Sequence, residues 1–230
     1  MVAGVDGCPG GWLALVDCKD GQPTPRVFAR FVDLLNALPK AKVIAVDIPI
    51  GLPEAGARAC DRHARHELAQ PRGSSVFPAP LRAVLAARSW EEACTIRLRI
   101  EGKKMSQQAW GIVPKVREVD ALLRKDAELA ARVFEVHPEV SFAEWAGKAM
   151  PHSKKKAAGR LERLKLIMAE WPDAVTRCRA MLAGESYEVD DLYDAFAALW
   201  TAHRISAKKS RAIPSILARD SNGLPMRIAV

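Results

Sequence analysis

The sequence predicts an α/β protein built on one mixed sheet. Three observations carry that expectation. Short apolar runs separated by turn residues fill positions 1–31, a nearly continuous apolar run at 42–48 reads as a strand buried on both faces, and strand character returns at 132–137 after a long helical stretch. Residues 2–6 and 12–16 are the first two strands, joined across the Gly7-Cys8-Pro9-Gly10-Gly11 turn as a hairpin. Residues 25–31 supply a third strand. Residues 32–38 have helical apolar spacing, closed by Pro39 before the central fourth strand. From 49 to 131 Pro, Gly and Arg punctuate helical stretches around 58–69, 81–87, 90–100 and 118–131, which predicts a largely helical insertion between the fourth and fifth strands. Beyond Pro138 the chain reads as helical to about 207, and 214–230 reads as an irregular tail.

The chain has 230 residues, 49% hydrophobic and 27% charged, which suits a single compact domain over 1–230 and excludes disordered and fibrous classes. Thirty-five Lys and Arg against 27 Asp and Glu leave a net charge of +8, an attraction for polyanions such as nucleic acid. The five cysteines are odd in number and form no Cys-x-x-Cys pair, so neither a disulfide framework nor a zinc knuckle is expected and a reducing cytoplasm is the natural setting. Neither a signal-peptide pattern nor an apolar run of roughly 20 residues is seen, so an exported or membrane-embedded protein is not expected. The sequence sets no oligomeric state and leaves a homodimer open.

The acids carry the chemistry. Asp6 and Asp47 each sit at the carboxyl end of a strand, where open α/β sheets collect their ligands. The competing reading makes each a turn or cap residue satisfied by backbone N–H groups. Glu135 lies in the fifth strand, sharing a face with Val133 and His137. A late helix, Val189 to Trp200, is apolar over most of its circumference and carries Asp190, Asp191 and Asp194; the first two suit capping, whereas Asp194 lies deeper between apolar neighbours. Carboxylates held together repel one another unless protonated or bridged, and hard Mg²⁺ or Mn²⁺ prefers their oxygens. Two such ions about 4 Å apart can activate a water and stabilise a leaving oxygen in phosphodiester cleavage.

These blocks resemble a known family. Gly4-Val5-Asp6-Gly7-Cys8 with Gly10-Gly11-Trp12, Asp47-Ile48-Pro49-Ile50-Gly51-Leu52-Pro53, Arg72-Gly73-Ser74-Ser75-Val76-Phe77, the stretch from Gln107 through Pro114-Lys115-Val116-Arg117-Glu118-Val119-Asp120, Glu135-Val136-His137-Pro138-Glu139 and Asp190-Asp191 are similar to the signature blocks of domain-of-unknown-function family 429, generally described as RNase H-like nucleases. The Asp191-Leu192-Tyr193-Asp194-Ala195 pattern resembles the RuvC branch of that fold. The resemblance implies a five-stranded sheet in the order 3-2-1-4-5 with strand 2 antiparallel. It implies Asp6, Asp47, Glu135 and Asp194 as catalytic carboxylates, and the same four with Asp191 as ligands of one or two Mg²⁺ or Mn²⁺ ions.

The remaining candidates are substrate contacts. Arg62 and Arg72 with Ser74 and Ser75 form a phosphate-binding wall or a solvated helix face. Lys115 and Arg117 hold phosphates or pair with nearby acids, and His137 assists at the metal or is structural beside Pro138. Cys60, His63 and His66 lack a fourth zinc ligand nearby, and Lys154-Lys155-Lys156 reads as a solvated face. The expected function is metal-dependent hydrolysis of nucleic-acid phosphodiesters or of another phosphate-containing substrate. The alternatives are an ATP-binding, phosphotransfer protein using the glycine turn, and a non-catalytic nucleic-acid adaptor.

Overall fold

The computed structural model describes residues 1–18 and 21–230. Its first elements are β1 (Val2–Cys8), β2 (Gly11–Asp17), β3 (Thr24–Phe28), α1 (Phe31–Ala37) and β4 (Val43–Val46). The insertion follows as α2 (Ala59–Arg72), two short 3-10 turns (Gly73–Ser75 and Arg82–Ala86), α3 (Trp90–Glu101), α4 (Gln107–Gly111), α5 (Val113–Leu123) and α6 (Ala127–Arg132). The chain then forms β5 (Val133–Glu135), α7 (Pro138–Ala146), α8 (Ala157–Glu170), α9 (Ala174–Met181), α10 (Val189–Ser206), β6 (Ala212–Arg219) and β7 (Pro225–Ala229). No helix of the described residues is long and apolar enough to cross a membrane.

The five-stranded sheet has the order β3-β2-β1-β4-β5, with β2 antiparallel to β1 and β3, and β1, β4 and β5 mutually parallel. Its two faces bury separate cores. One is covered by α10, where Leu192, Phe196 and Leu199 pack against Leu13, Leu15 and Ala45. The other buries Val5, Trp12, Ile44 and Val46 against α1 and α5. Gly4 explains how closely α10 lies on β1: a Cβ there would stand 2.0 Å from the Leu199 nitrogen and 2.4 Å from the Ala195 oxygen. Only glycine on the strand, facing the helix backbone at Ala195 and Leu199, permits this approach. Gly11 has φ +120°, and a Cβ would meet the Phe28 carbonyl at 2.2 Å, so the hairpin turn also requires glycine.

The structure departs from the sequence expectation in three places. The segment read as an irregular tail is the β6–β7 hairpin, a second, two-stranded sheet with an irregular register between Ile213 and Ala218. The helix expected over 118–131 is two helices, because Asp126 starts α6 by accepting the Leu129 N–H at 2.9 Å. The stretch at 81–87 is a 3-10 turn. The insertion is tied to the first hairpin through α5: Lys115 Nζ donates to the Gly11 and Cys8 carbonyls at 2.6 and 3.2 Å, and Glu118 accepts Trp12 Nε1 at 2.9 Å.

Candidate active site: a buried carboxylate cluster

Strand register brings the first two acids together. Val5 lies beside Val46 in the parallel β1–β4 pair, and the Asp47 N–H continues the ladder onto the Val5 carbonyl at 3.0 Å. Asp6 and Asp47 therefore follow equivalent positions and share the face covered by α10. The close approach permitted by Gly4 brings Asp194, next to Ala195, onto the same spot. Asp6 and Asp194 are buried, and Asp47 is half-buried.

The electrostatics follow from burial and crowding. Burial first, and then the charges of Asp47 and Asp194, hold Asp6 well above the usual carboxylate range. Burial and Asp194 push Asp47 up to about 7. Burial raises Asp194 as well, and Lys154 partly offsets it. Burial moves Asp191 up to about 6, and its carboxylate caps its own helix by accepting the Glu188 N–H at 2.8 Å. Lys154, from the segment before α8, forms an ion pair with Asp194 and also acts on Asp6 and Asp47. Burial works against the lysine charge, and Asp194 more than offsets it, so Lys154 stays protonated.

Glu135 stands elsewhere. It pairs with Val46 in register and so points to the opposite face from Asp6 and Asp47. There Arg58 grips both its oxygens at 2.6 and 2.7 Å, and the Ile50 N–H donates to it at 2.7 Å. Arg58 also holds Asp61 at 2.6 Å and the Ile50 carbonyl at 2.9 Å, so the group fastens the start of the insertion to β5. The acid that leaves β5 toward the cluster is Glu139, in the first turn of α7, whose charge acts on Asp47 and Asp194. Arg163 holds it with two bonds of 2.7 Å.

The expected substrate wall is only partly assembled. Burial lowers the His137 pKa, with Glu139 and Asp194 acting against that and Lys154 with it. The His137 Nδ1 is buried without a hydrogen-bond partner, as is Arg72 Nε. Ser75 interacts with His137 through its backbone, whereas Ser74 Oγ donates to the Pro71 carbonyl at 2.8 Å. Arg62 donates to the Ala57 carbonyl. Arg117 braces the Leu85 and Ala87 carbonyls at 2.7 Å each, and Lys115 is spent on the β1–β2 turn. Lys154, Glu139 and Arg163 are the members that sequence reasoning missed. Lys154 was hidden in a run of three lysines that reads as solvated.

Among the described residues no three His, Cys, Asp or Glu side chains stand in a ready-made metal-holding group. The donor chemistry nonetheless fits a hard divalent cation: Asp6, Asp47 and Asp194 offer carboxylate oxygens whose mutual repulsion a cation relieves, and the cluster already draws in an ammonium group.

A mixed α/β sheet with a buried carboxylate cluster at the carboxyl ends of two parallel strands defines the class of protein. The chain belongs to the family described as protein of unknown function (DUF429), whose model matches residues 4–217. Neither a curated protein nor a solved structure matches it.

Proposed function

We propose that the protein is a metal-dependent hydrolase of the RNase H-like type that cleaves nucleic-acid phosphodiester bonds with Mg²⁺ or Mn²⁺. The observation that carries this reading is the convergence of Asp6, Asp47 and Asp194 from three elements into one buried cluster whose carboxyls are raised by burial and mutual charge. Evolution of a stable core does not need three such acids, since each is costly to bury unless it is compensated.

In this reading Asp6, Asp47 and Asp194 hold the cation, with Asp191 at the margin. Mg²⁺ or Mn²⁺ bound there supplies positive charge to the scissile phosphate and eases ionisation of a water. The chain's own groups do the rest. Lys154 neutralises part of the carboxylate charge and holds an ammonium group beside the cluster, where a phosphate oxygen would meet it. Glu139 and Arg163 fix the start of α7 beside the cluster, and with it His137. Glu135 serves as the anchor for Arg58, outside the reacting group. The net charge of +8 supports a polyanionic substrate, and five unpaired thiols suit a reducing cytoplasm.

The glycine turn favours hydrolysis over nucleotide phosphotransfer. Its Gly10 N–H donates to the Ser186 carbonyl at 2.7 Å, and its carbonyls, at Cys8 and Gly11, face Lys115. A phosphate cradle needs free N–H groups there. The test is cleavage of end-labelled single- and double-stranded DNA and RNA in Mn²⁺. Wild type should cut at least one of them, with loss of roughly 100-fold or more in Asp6→Asn at unchanged melting temperature, the scale of removing a preorganised electrostatic group. Undiminished cleavage by Asp6→Asn would refute the assignment.

A further inference from the structure

A cavity lies at the β5 edge of the sheet. It encloses about 510 Å³ between α5, α6, β5 and the β6–β7 hairpin, within the size range of small-molecule sites of roughly 300–1,000 Å³. Three arginines from three elements line it: Arg124 at the end of α5, Arg219 on β6 and Arg227 on β7. Their charges are poorly compensated. Arg227 has no acidic partner among the described residues, Arg219 donates to the Gly223 carbonyl at 2.6 Å, and Arg124 reaches Asp120 only at 3.6 Å. Asp120 is itself bonded to Arg82 at 3.0 Å. The one acid in the lining, Glu135, is neutralised by Arg58.

The rest of the wall is of a different kind. Leu224 and Val133 are buried apolar residues of its lining, and β5 ends the five-stranded sheet with β7 of the second sheet close beside it. A concave site with three guanidinium groups concentrates positive potential and suits bidentate recognition of phosphate. The apolar part of the lining suits the face of a flat ring.

We propose that this cavity binds a nucleoside polyphosphate, the phosphates on Arg124, Arg219 and Arg227 and the base against Leu224 and Val133. The site is separate from the carboxylate cluster, because none of Asp6, Asp47 and Asp194 lines it. Binding therefore needs no divalent cation.

The experiment is calorimetric titration of the full chain with ADP in EDTA, which removes any contribution of the carboxylate cluster. ADP should bind with 1:1 stoichiometry, more tightly than pyrophosphate, and Arg227→Ala should weaken it about tenfold. Arg124→Glu, on an exposed helix end, should abolish binding at an unchanged melting temperature, which guards against a folding defect in the first variant. Lys165→Ala, on exposed α8, should bind as wild type. Absence of ADP binding by wild type, equal affinity for pyrophosphate, or wild-type affinity in both arginine variants would each overturn the proposal. Loss of nuclease activity elsewhere leaves this result untouched, so the two readings fail separately.

Discussion

Asp47 is where residue chemistry is most open to measurement. Its carboxyl lies at about 7 in the folded protein, against an ordinary unfolded value of about 4. Between those values the folded chain binds more protons than the unfolded one, so stability is greatest at the acid end of the window and declines as pH rises through it. Asp6 and Asp194 shift in the same direction. In EDTA the melting temperature should fall between about pH 4 and pH 7, and Asp47→Asn should flatten that decline. A variant with the same slope as wild type would place the proton elsewhere. Lys154 offers the complementary test. Lys154→Met leaves Asp194 without its ion-pair partner in a buried setting, which should cost about 1–2 kcal/mol after allowing for the lysine's partial exposure. The same change removes a competing cation and should tighten Mn²⁺ binding, read by calorimetry. Asp194 was legible in the sequence because it lies too deep in its helix for capping to explain it, and Asp6 and Asp47 because each ends a strand, although Asp6 also accepts the Gly7 N–H at 2.8 Å as the turn reading expects. Glu135 was grouped with them by the family resemblance, and its facing depends on pairing with Val46, a long-range register that local alternation does not contain. Lys154 was invisible for the opposite reason, as a residue of a lysine run whose neighbours do point to solvent.

At the scale of elements, the contact between β1 and α10 builds the site. Gly4→Ala would place a Cβ within 2.0 Å of helix backbone, which a flexible side chain cannot relieve. The helix must shift, so the variant should lose about 3 kcal/mol or more in urea denaturation and should also lose cation affinity. Full stability in Gly4→Ala would mean the helix does not need this approach. The strands of the first hairpin and the central β4 were legible from apolar runs and glycine turns, because their burial is two-sided and continuous. The β6–β7 hairpin was not. Pro214 interrupts its pattern, and Ile216 is 81% exposed, so the strand shows neither alternation nor a buried face. Pairing with β7 at both ends of an irregular register holds it, which is a tertiary fact. The insertion's helix boundaries slipped for a simpler reason: the Asp126 cap splits what apolar spacing alone joins.

Over the whole molecule, an excess of eight positive charges coexists with a cluster of acids that resist ionisation. In the proposed reading, a divalent cation at the cluster would make it and a positive exterior both compatible with a phosphate substrate. Oligonucleotide affinity should drop by roughly tenfold or more between about 50 and 200 mM salt, as for two or more neutralised phosphates. Salt-independent binding, followed by fluorescence anisotropy, would remove the exterior from the account. The central claim is that Asp6, Asp47 and Asp194 together hold a divalent cation. The most direct measurement is anomalous diffraction from crystals soaked in Mn²⁺ near pH 8. The account predicts a peak between these three carboxylates, with the Lys154 ammonium moved off Asp194. Lys154 still on Asp194 with no manganese peak at the cluster would contradict it.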